Sequence, residues 1–219
     1  MLDLTGVSYR TSKLKEISKE LVSGENVKKN TIVGVLLYIP FIVMTFLLSS
    51  ISILTGLNSD GIIYLTAIEI VMAAFTSLYY MQVGNIIKNK VAKIDFQVNT
   101  KLFLIMFIVL EVLTVIKILF LQGNVGVLIA EIISVIVAVI FLPVYYLIIN
   151  RDYSIQNAVN VGVSLGFKYF FKILWLEITF IPWMLLIGIT FGIVGIFKLT
   201  YIKTTLYLLV EKILQENNL

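Results

Sequence analysis

The chain has 219 residues, of which 59% are hydrophobic and 14% charged, and its formal net charge is +4. Soluble domains are about a quarter charged, and a water-soluble fold of this size cannot bury so much apolar surface. The composition therefore predicts an all-α, polytopic transmembrane helical bundle. The absence of Cys and His excludes disulfides, thiolate and histidine metal sites, and Ser-His catalytic triads.

Apolar stretches long enough to cross a hydrocarbon core of about 30 Å as helices recur along the chain. A polar segment, residues 1–30, comes first, and a single transmembrane domain follows over residues 31–219. Six spans are predicted, at about 31–55, 62–82, 102–121, 127–149, 171–191 and 196–212. The alternative is five spans, with one long span from 171 to about Phe197 and then an amphipathic helix on the membrane surface. Residues 152–170 are too polar to span.

The basic residues set the orientation, because Lys and Arg accumulate in cytoplasmic loops. In the six-span arrangement the basic loop residues all lie on one side, and the three opposite loops contain none. Both ends of the chain are then cytoplasmic, although Lys212 alone supports this for the C-terminal end. We expect contact with anionic lipids at the cytoplasmic face, and no nucleic-acid partner.

Within residues 1–30, Leu14, Ile17 and Leu21 recur at helical spacing beside several lysines, and Gly24 is placed to end the helix. The spacing predicts an amphipathic helix. Two placements fit it: on the anionic leaflet, or packed against the cytoplasmic loops.

Ionisable side chains inside the predicted spans are costly unless they pair or line a polar cavity. Depth along the helices predicts an outer pair, Lys117 with Glu131, and a midplane cluster in which Lys203 meets Glu69 or Glu111. The functional interpretation is a polar pathway, or a site for a charged headgroup or peptide. The structural interpretation is that ion pairs fix the register of the helices.

Glycine and proline positions predict details of helix packing. The residues Gly188 and Gly192 are four apart, as are Gly162 and Gly166, and the first pair is placed to allow close helix approach. Pro182 is expected to kink the fifth span, and kinks are also expected at Pro40 and Pro143.

The residues needed for intramembrane catalysis are missing. Every Asp falls in a predicted loop or tail, and the chain has neither a phosphate-binding loop nor a dinucleotide fingerprint. We therefore expect no enzymatic activity, no cofactor and no metal.

The C-terminal third carries a pattern of acidic, aromatic, Thr and Gly residues: Glu177, Phe180, Trp183, Thr190, Gly192 and Tyr201. This pattern resembles the bacterial integral-membrane family catalogued as domain of unknown function 975. The resemblance implies a multi-pass protein of the bacterial cytoplasmic membrane and assigns no activity. By analogy, some small multispan proteins accompany self-protection against peptide bacteriocins, or their export.

Three functions fit these residues. The first is a non-enzymatic membrane factor, such as an immunity protein or a transporter-accessory protein with a peptide or transporter partner. The second is a six-span substrate-binding subunit of an ATPase-driven importer. The third is a structural or assembly protein. The residues indicate neither a ligand nor an oligomeric state.

Overall fold

The computed structural model describes Leu4 and residues 10–23, 62–88, 94–120, 124–190 and 193–219. Over these ranges every regular element is a helix and there is no strand, which confirms the all-helical prediction there. The helices are α1 (Thr11–Ser23), α2 (Ile62–Ile87), α3 (Phe96–Phe120), α4 (Asn124–Arg151), α5 (Ile155–Lys168), α6 (Phe170–Ile178), α7 (Ile181–Ile189) and α8 (Ile193–Glu216).

Three helices are long and apolar enough to cross a membrane: α2 over Thr66–Ile87, α3 over Phe96–Leu119 and α4 over Leu128–Arg151. They coincide with the second, third and fourth predicted spans, and they indicate a membrane protein. The first predicted span, 31–55, lies outside the described residues together with Pro40.

The fifth predicted span, 171–191, is two helices rather than one. Helices α6 and α7 bend by 45° at a short break, and the described residues reach up to four spans if this bent pair is one span. Pro182 lies in the first turn of α7. A proline ring clashes with the carbonyl group four residues earlier in a continuous helix, so the chain breaks just before it. Pro143, by contrast, lies inside the uninterrupted helix α4.

Helix α8 covers the sixth predicted span, 196–212, and contacts α1, α2, α4, α6 and α7. Most of its side chains between Ile202 and Leu214 are buried. Five of the described helices therefore pack against α8, and this places its polar side chains in the interior.

Within residues 152–170, predicted to be too polar to span, Ile155–Lys168 form α5, which packs closely against the C-terminal half of α4. A Cβ atom added at Gly162 would lie 2.7 Å from the Cα atom of Val144, and one at Gly166 would collide with the backbone of Ile140. Close approach therefore occurs at the second glycine pair. Gly188 of the first pair faces open space, and Gly192 lies outside the described residues.

The N-terminal helix α1 places its apolar face against protein. Leu14 is 1% exposed, and the hydroxyl of Ser18 donates a hydrogen bond to the carbonyl oxygen of Tyr201 at 3.1 Å. The charged side chains Lys13 and Glu16 form an exposed pair on the other face. Helix α1 therefore packs against α8 within the sixth predicted span, rather than against a predicted loop.

The glycine contacts predict a selective effect of added methyl groups. We expect Gly162→Ala to destabilise the detergent-solubilised protein by about 1–3 kcal/mol, because α5 must move away from the α4 backbone. Gly188→Ala is the matched control, since the same change meets no neighbour there and Ala is the better helix former. Thermal unfolding followed by tyrosine and tryptophan fluorescence measures both variants. Equal stability of the two would contradict this packing.

Candidate functional site

One face of α8 carries a polar stripe. Its members are spaced four residues apart, which places them on one side of a helix: Lys203, Tyr207, Glu211 and Gln215. Tyr207 and Glu211 are 0% exposed. The stripe therefore brings ionisable groups into the middle of the described bundle.

Glu211 is the centre of this site, and its two carboxylate oxygens are both hydrogen-bonded. The hydroxyl of Tyr146 donates to Oε2 at 2.6 Å. The guanidinium group of Arg151 donates to Oε1 at 3.3 Å, and the side-chain amide of Gln215 donates to the same oxygen at 3.0 Å. Charge-assisted hydrogen bonds of this kind compensate the desolvation of a buried carboxylate. We call Tyr146, Arg151, Glu211 and Gln215 the α8 polar centre.

The α8 polar centre joins three parts of the chain. Tyr146 and Arg151 come from the C-terminal half of α4, whereas Glu211 and Gln215 are one turn apart on α8. The backbone amide of Leu4 also donates to the side-chain oxygen of Gln215 at 2.9 Å. Removal of the carboxylate would therefore loosen contacts between α4, α8 and the N-terminal segment.

Aromatic rings surround the polar centre. Tyr207 packs edge-on against Tyr146 with ring centroids 5.0 Å apart, and Tyr80 of α2 lies 5.8 Å from both Tyr145 and Tyr207. Edge-on aromatic contacts are favourable because the ring edge is positive and the face negative. The cluster attaches α2 to the α4–α8 pair.

Some buried polar side chains of α2, α4 and α8 have no hydrogen-bond partner among the described residues. Asn150 follows Tyr146 by one helical turn, and both atoms of its side-chain amide are buried with no hydrogen-bond partner within the described ranges. The amide of Gln82 and the hydroxyl of Tyr207 are in the same situation. Such groups can accept a water molecule or a polar ligand group, and desolvation of each costs about 1–3 kcal/mol when it stays unpaired.

Lys203 lies at the other end of the stripe. Its ammonium group is 5.3 Å from the centre of the Tyr80 ring, and it attracts the carboxylate of Glu177 on α6. The stripe thus runs from Lys203 to the Glu211–Arg151 pair, and α8 contacts α2, α4 and α6 along its length.

The structure does not bring Lys203 to the predicted midplane acids. Glu69 and Glu111 interact with each other across α2 and α3, and the hydroxyl of Thr114 donates to the carboxylate of Glu69. Lys203 instead meets α2 at Tyr80, eleven residues beyond Glu69, which is a rise of about 16 Å along a helix. The two acids and the lysine therefore belong to different levels of the bundle.

The structure does bring Lys117 and Glu131 together. The ammonium and carboxylate groups lie 3.0 Å apart, with side chains 44% and 59% exposed, and they join the end of α3 to the first part of α4. A second pair, Lys101 with Asp152 at 2.9 Å, joins the opposite ends of the same two helices. Each end of the α3–α4 hairpin thus has its own ion pair.

Two of the family-pattern residues meet at the break between α6 and α7. Phe180 is fully buried and packs edge-on against Tyr201 at 5.8 Å. The ammonium group of Lys15 on α1 lies 4.5 Å from the centre of the Phe180 ring and 3.5 Å from the carbonyl oxygen of Thr179. Burial lowers the pKa of the Lys15 ammonium. Helix α1 therefore holds the break from one side.

The other pattern residues lie apart from this contact. The carboxylate of Glu177 is attracted by Lys203, and the ammonium group of Lys198 lies 4.5 Å from the centre of the Trp183 ring. The hydroxyl of Thr190 donates to the carbonyl oxygen of Leu186 at 2.8 Å, where α7 ends. Gly192 lies outside the described residues.

The sequence did not predict the α8 polar centre as a site, because Glu211 and Arg151 both fall at the ends of predicted spans. A charged side chain at a span end is ordinarily solvated and does not by itself indicate a site. The signal that indicates it is the spacing. Four polar residues at intervals of four on a largely apolar helix predict a single polar face, and such a face requires partners from neighbouring helices.

Neither a metal site nor a similarity to known proteins accompanies this geometry among the residues described. Among the residues described, no group of three or more acidic, His or Cys side chains is placed to hold a metal ion. A comparison of the chain with protein families, with curated proteins and with solved structures finds no match.

The polar centre predicts that removal of its charge is costly. We expect Glu211→Gln to lower the free energy of unfolding by about 1–3 kcal/mol, because the buried hydrogen bonds lose their anionic acceptor. Glu131→Gln removes the same charge from an exposed pair and is expected to cost less than about 1 kcal/mol. Denaturant unfolding in detergent compares the variants. Equal losses, or a larger loss for Glu131→Gln, would contradict a structural role for Glu211.

Proposed function

We propose that the chain is a non-enzymatic, multi-pass protein of the bacterial cytoplasmic membrane, and that it acts as an immunity factor or as an accessory to a transporter. In this proposal it has six spans with both ends cytoplasmic, and it belongs with the family catalogued as domain of unknown function 975. The residue pattern from Glu177 to Tyr201 supports this family assignment.

The observation that carries the proposal is the pairing of charges between helices. Three ion pairs connect helices. The Glu211–Arg151 pair joins α8 to α4. The Lys117–Glu131 and Lys101–Asp152 pairs join α3 to α4 near the two ends of the hairpin. Charges arranged in this way fix the register of helices in an apolar solvent. They favour a membrane protein that binds a partner through a fixed surface over an enzyme whose reactive groups lie together in one open active site.

The α3–α4 hairpin supplies the surface for such a partner. Exposed apolar side chains follow one another along both helices: Leu104, Ile108, Val112, Val115, Leu128, Ile132 and Val135. A membrane helix or an inserted peptide packs laterally against a face of this kind through van der Waals contact. The exposed Lys117–Glu131 pair at one end adds a polar contact for the partner.

A substrate-binding subunit of an ATPase-driven importer is the second candidate. The buried amides of Gln82 and Asn150 favour it, because unpaired polar atoms beside a tyrosine cluster suit a small polar substrate. A structural or assembly role is the third, and the paired charges are equally compatible with it.

A peptide-sensitivity assay tests the first candidate. Expression of the protein in a sensitive bacterium is expected to raise the inhibitory concentration of at least one peptide in a panel of membrane-active peptides. Val112→Trp is expected to weaken this protection, because it alters the middle of the hairpin face. Ile189→Trp, on the exposed side of α7, is the matched control and is expected to preserve it.

Unchanged inhibition across the panel, with the protein present in the membrane fraction, would contradict an immunity function. Loss of protection in both tryptophan variants would contradict the role of the hairpin face. Co-purification with an ATPase, together with binding of a small substrate by the purified chain, would instead favour the importer subunit.

A further inference from the structure

Two acidic side chains meet between α2 and α3, which are both long and apolar enough to cross a membrane. Glu69 of α2 lies about 10 Å along its helix from Ile62, and Glu111 of α3 lies about 14 Å along its helix from Phe120. Both acids are therefore well inside apolar segments, where an ionised side chain is costly unless it is compensated.

The carboxylate of Glu69 is only partly satisfied. The residue is 8% exposed, and its Oε1 atom accepts a hydrogen bond from the hydroxyl of Thr114 on α3. Its Oε2 atom is buried and has no hydrogen-bond partner among the described residues. A carboxylate oxygen can only accept hydrogen bonds, so Oε2 needs a donor that the surroundings do not supply.

The group beside this carboxylate is a second acid. Glu111 precedes Thr114 by three residues, so the two side chains are neighbours on the surface of α3. The carboxylate of Glu111 lies within hydrogen-bonding reach of the carboxylate of Glu69 and repels its charge. Two ionised carboxylates contain no donor, so a hydrogen bond between them requires a proton on one of the two.

The charges around the pair leave it with an excess of negative charge. The charged groups of the described residues that act on Glu69 are Glu111 and Lys117, both on α3. The ammonium group of Lys117 also pairs with Glu131 of α4, at 3.0 Å. Three carboxylates thus share one ammonium group, because Lys203 of α8 contacts α2 at Tyr80, about 16 Å along the helix from Glu69.

We propose that Glu69 and Glu111 together bind one proton inside the membrane. The proton comes from water and forms an O–H bond on Glu111, and this O–H group donates to Oε2 of Glu69. Thr114 stabilises Glu69 as the ionised member of the pair, since its hydroxyl donates to Oε1. Two acids held together in apolar surroundings share a proton because both cannot carry a charge at low cost.

A line of polar side chains connects this site to an exposed surface. Thr114 and Lys117 follow Glu111 at intervals of three residues toward the end of α3, where Lys117 and Glu131 are 44% and 59% exposed. The line gives the proton a route for exchange with water. The inference rests on the membrane location proposed above, and it does not require the immunity function.

Infrared spectroscopy of the protein in lipid vesicles tests the proposal, because a protonated carboxyl group absorbs at a frequency distinct from those of carboxylates and amides. We expect the double variant Glu69→Gln and Glu111→Gln to lose, at neutral pH, the carboxyl absorption of one group per chain. The matched control combines Glu16→Gln with Glu20→Gln on the exposed face of α1. It also removes two acids, but exposed carboxylates are ionised at neutral pH, so the carboxyl absorption is expected to stay unchanged.

No loss of absorption in the double variant would overturn the proposal, since both acids would then be ionised. A loss equal to two groups would also overturn it, because neither acid would then be a carboxylate. Absorption that appears only after sodium in the buffer is replaced by choline would overturn it in favour of a metal cation.

The single variant Glu111→Gln gives the same test if the double variant does not fold. The amide of the new side chain donates to Glu69 in place of the carboxyl group, so the loss of one group is again expected, and unchanged absorption would contradict the proposal. Recovery of the unmodified protein outside the vesicles would contradict the membrane location on which the site depends.

Discussion

A carboxylate inside an apolar helical bundle must be hydrogen-bonded and charge-compensated, and Glu211 shows how this chain meets that constraint. Both carboxylate oxygens are occupied by groups from α4 and α8. Breaking such a pair leaves an uncompensated buried charge, which is far more costly than never having the pair. The position of α8 between α2, α4 and α6 depends on this arrangement.

Other elements are arranged about α4 and α8. Helix α5 packs against α4, where Gly162 and Gly166 permit the close approach of these two helices. The helices on both sides of the break before Pro182 contact α8, and α1 covers that break through Lys15. The α3–α4 hairpin keeps its apolar side chains outward, and ion pairs join the two helices near both ends.

The sequence predicts the helical class and three of the spans, because bilayer thickness sets the length of an apolar run. The contact of Lys117 with Glu131 also follows from the sequence, since only a few residues separate their predicted spans and the two side chains therefore lie at similar depth. The contact of Lys203 does not follow. Depth along a helix says nothing of which neighbour the helix faces, and α8 meets α2 at Tyr80 rather than near Glu69.

The glycine pairs show the same limit. Gly162–Gly166 and Gly188–Gly192 have identical spacing, yet Gly162 touches a backbone and Gly188 faces open space. Spacing shows that close approach is permitted, whereas the partner helix decides whether it occurs. Glu211 and Arg151 are missed for a related reason, because a charge at a span end is ordinarily solvated and their pairing depends on how α4 and α8 cross.

The coupling between Arg151 and Glu211 tests the central claim most directly. Arg151→Met and Glu211→Met are compared singly and together by denaturant unfolding in detergent. The account predicts that the double variant loses less stability than the sum of the two single losses, because each single change leaves its partner charge unpaired in the interior. Additive losses would contradict it, since they would show that the two side chains do not interact in the folded protein.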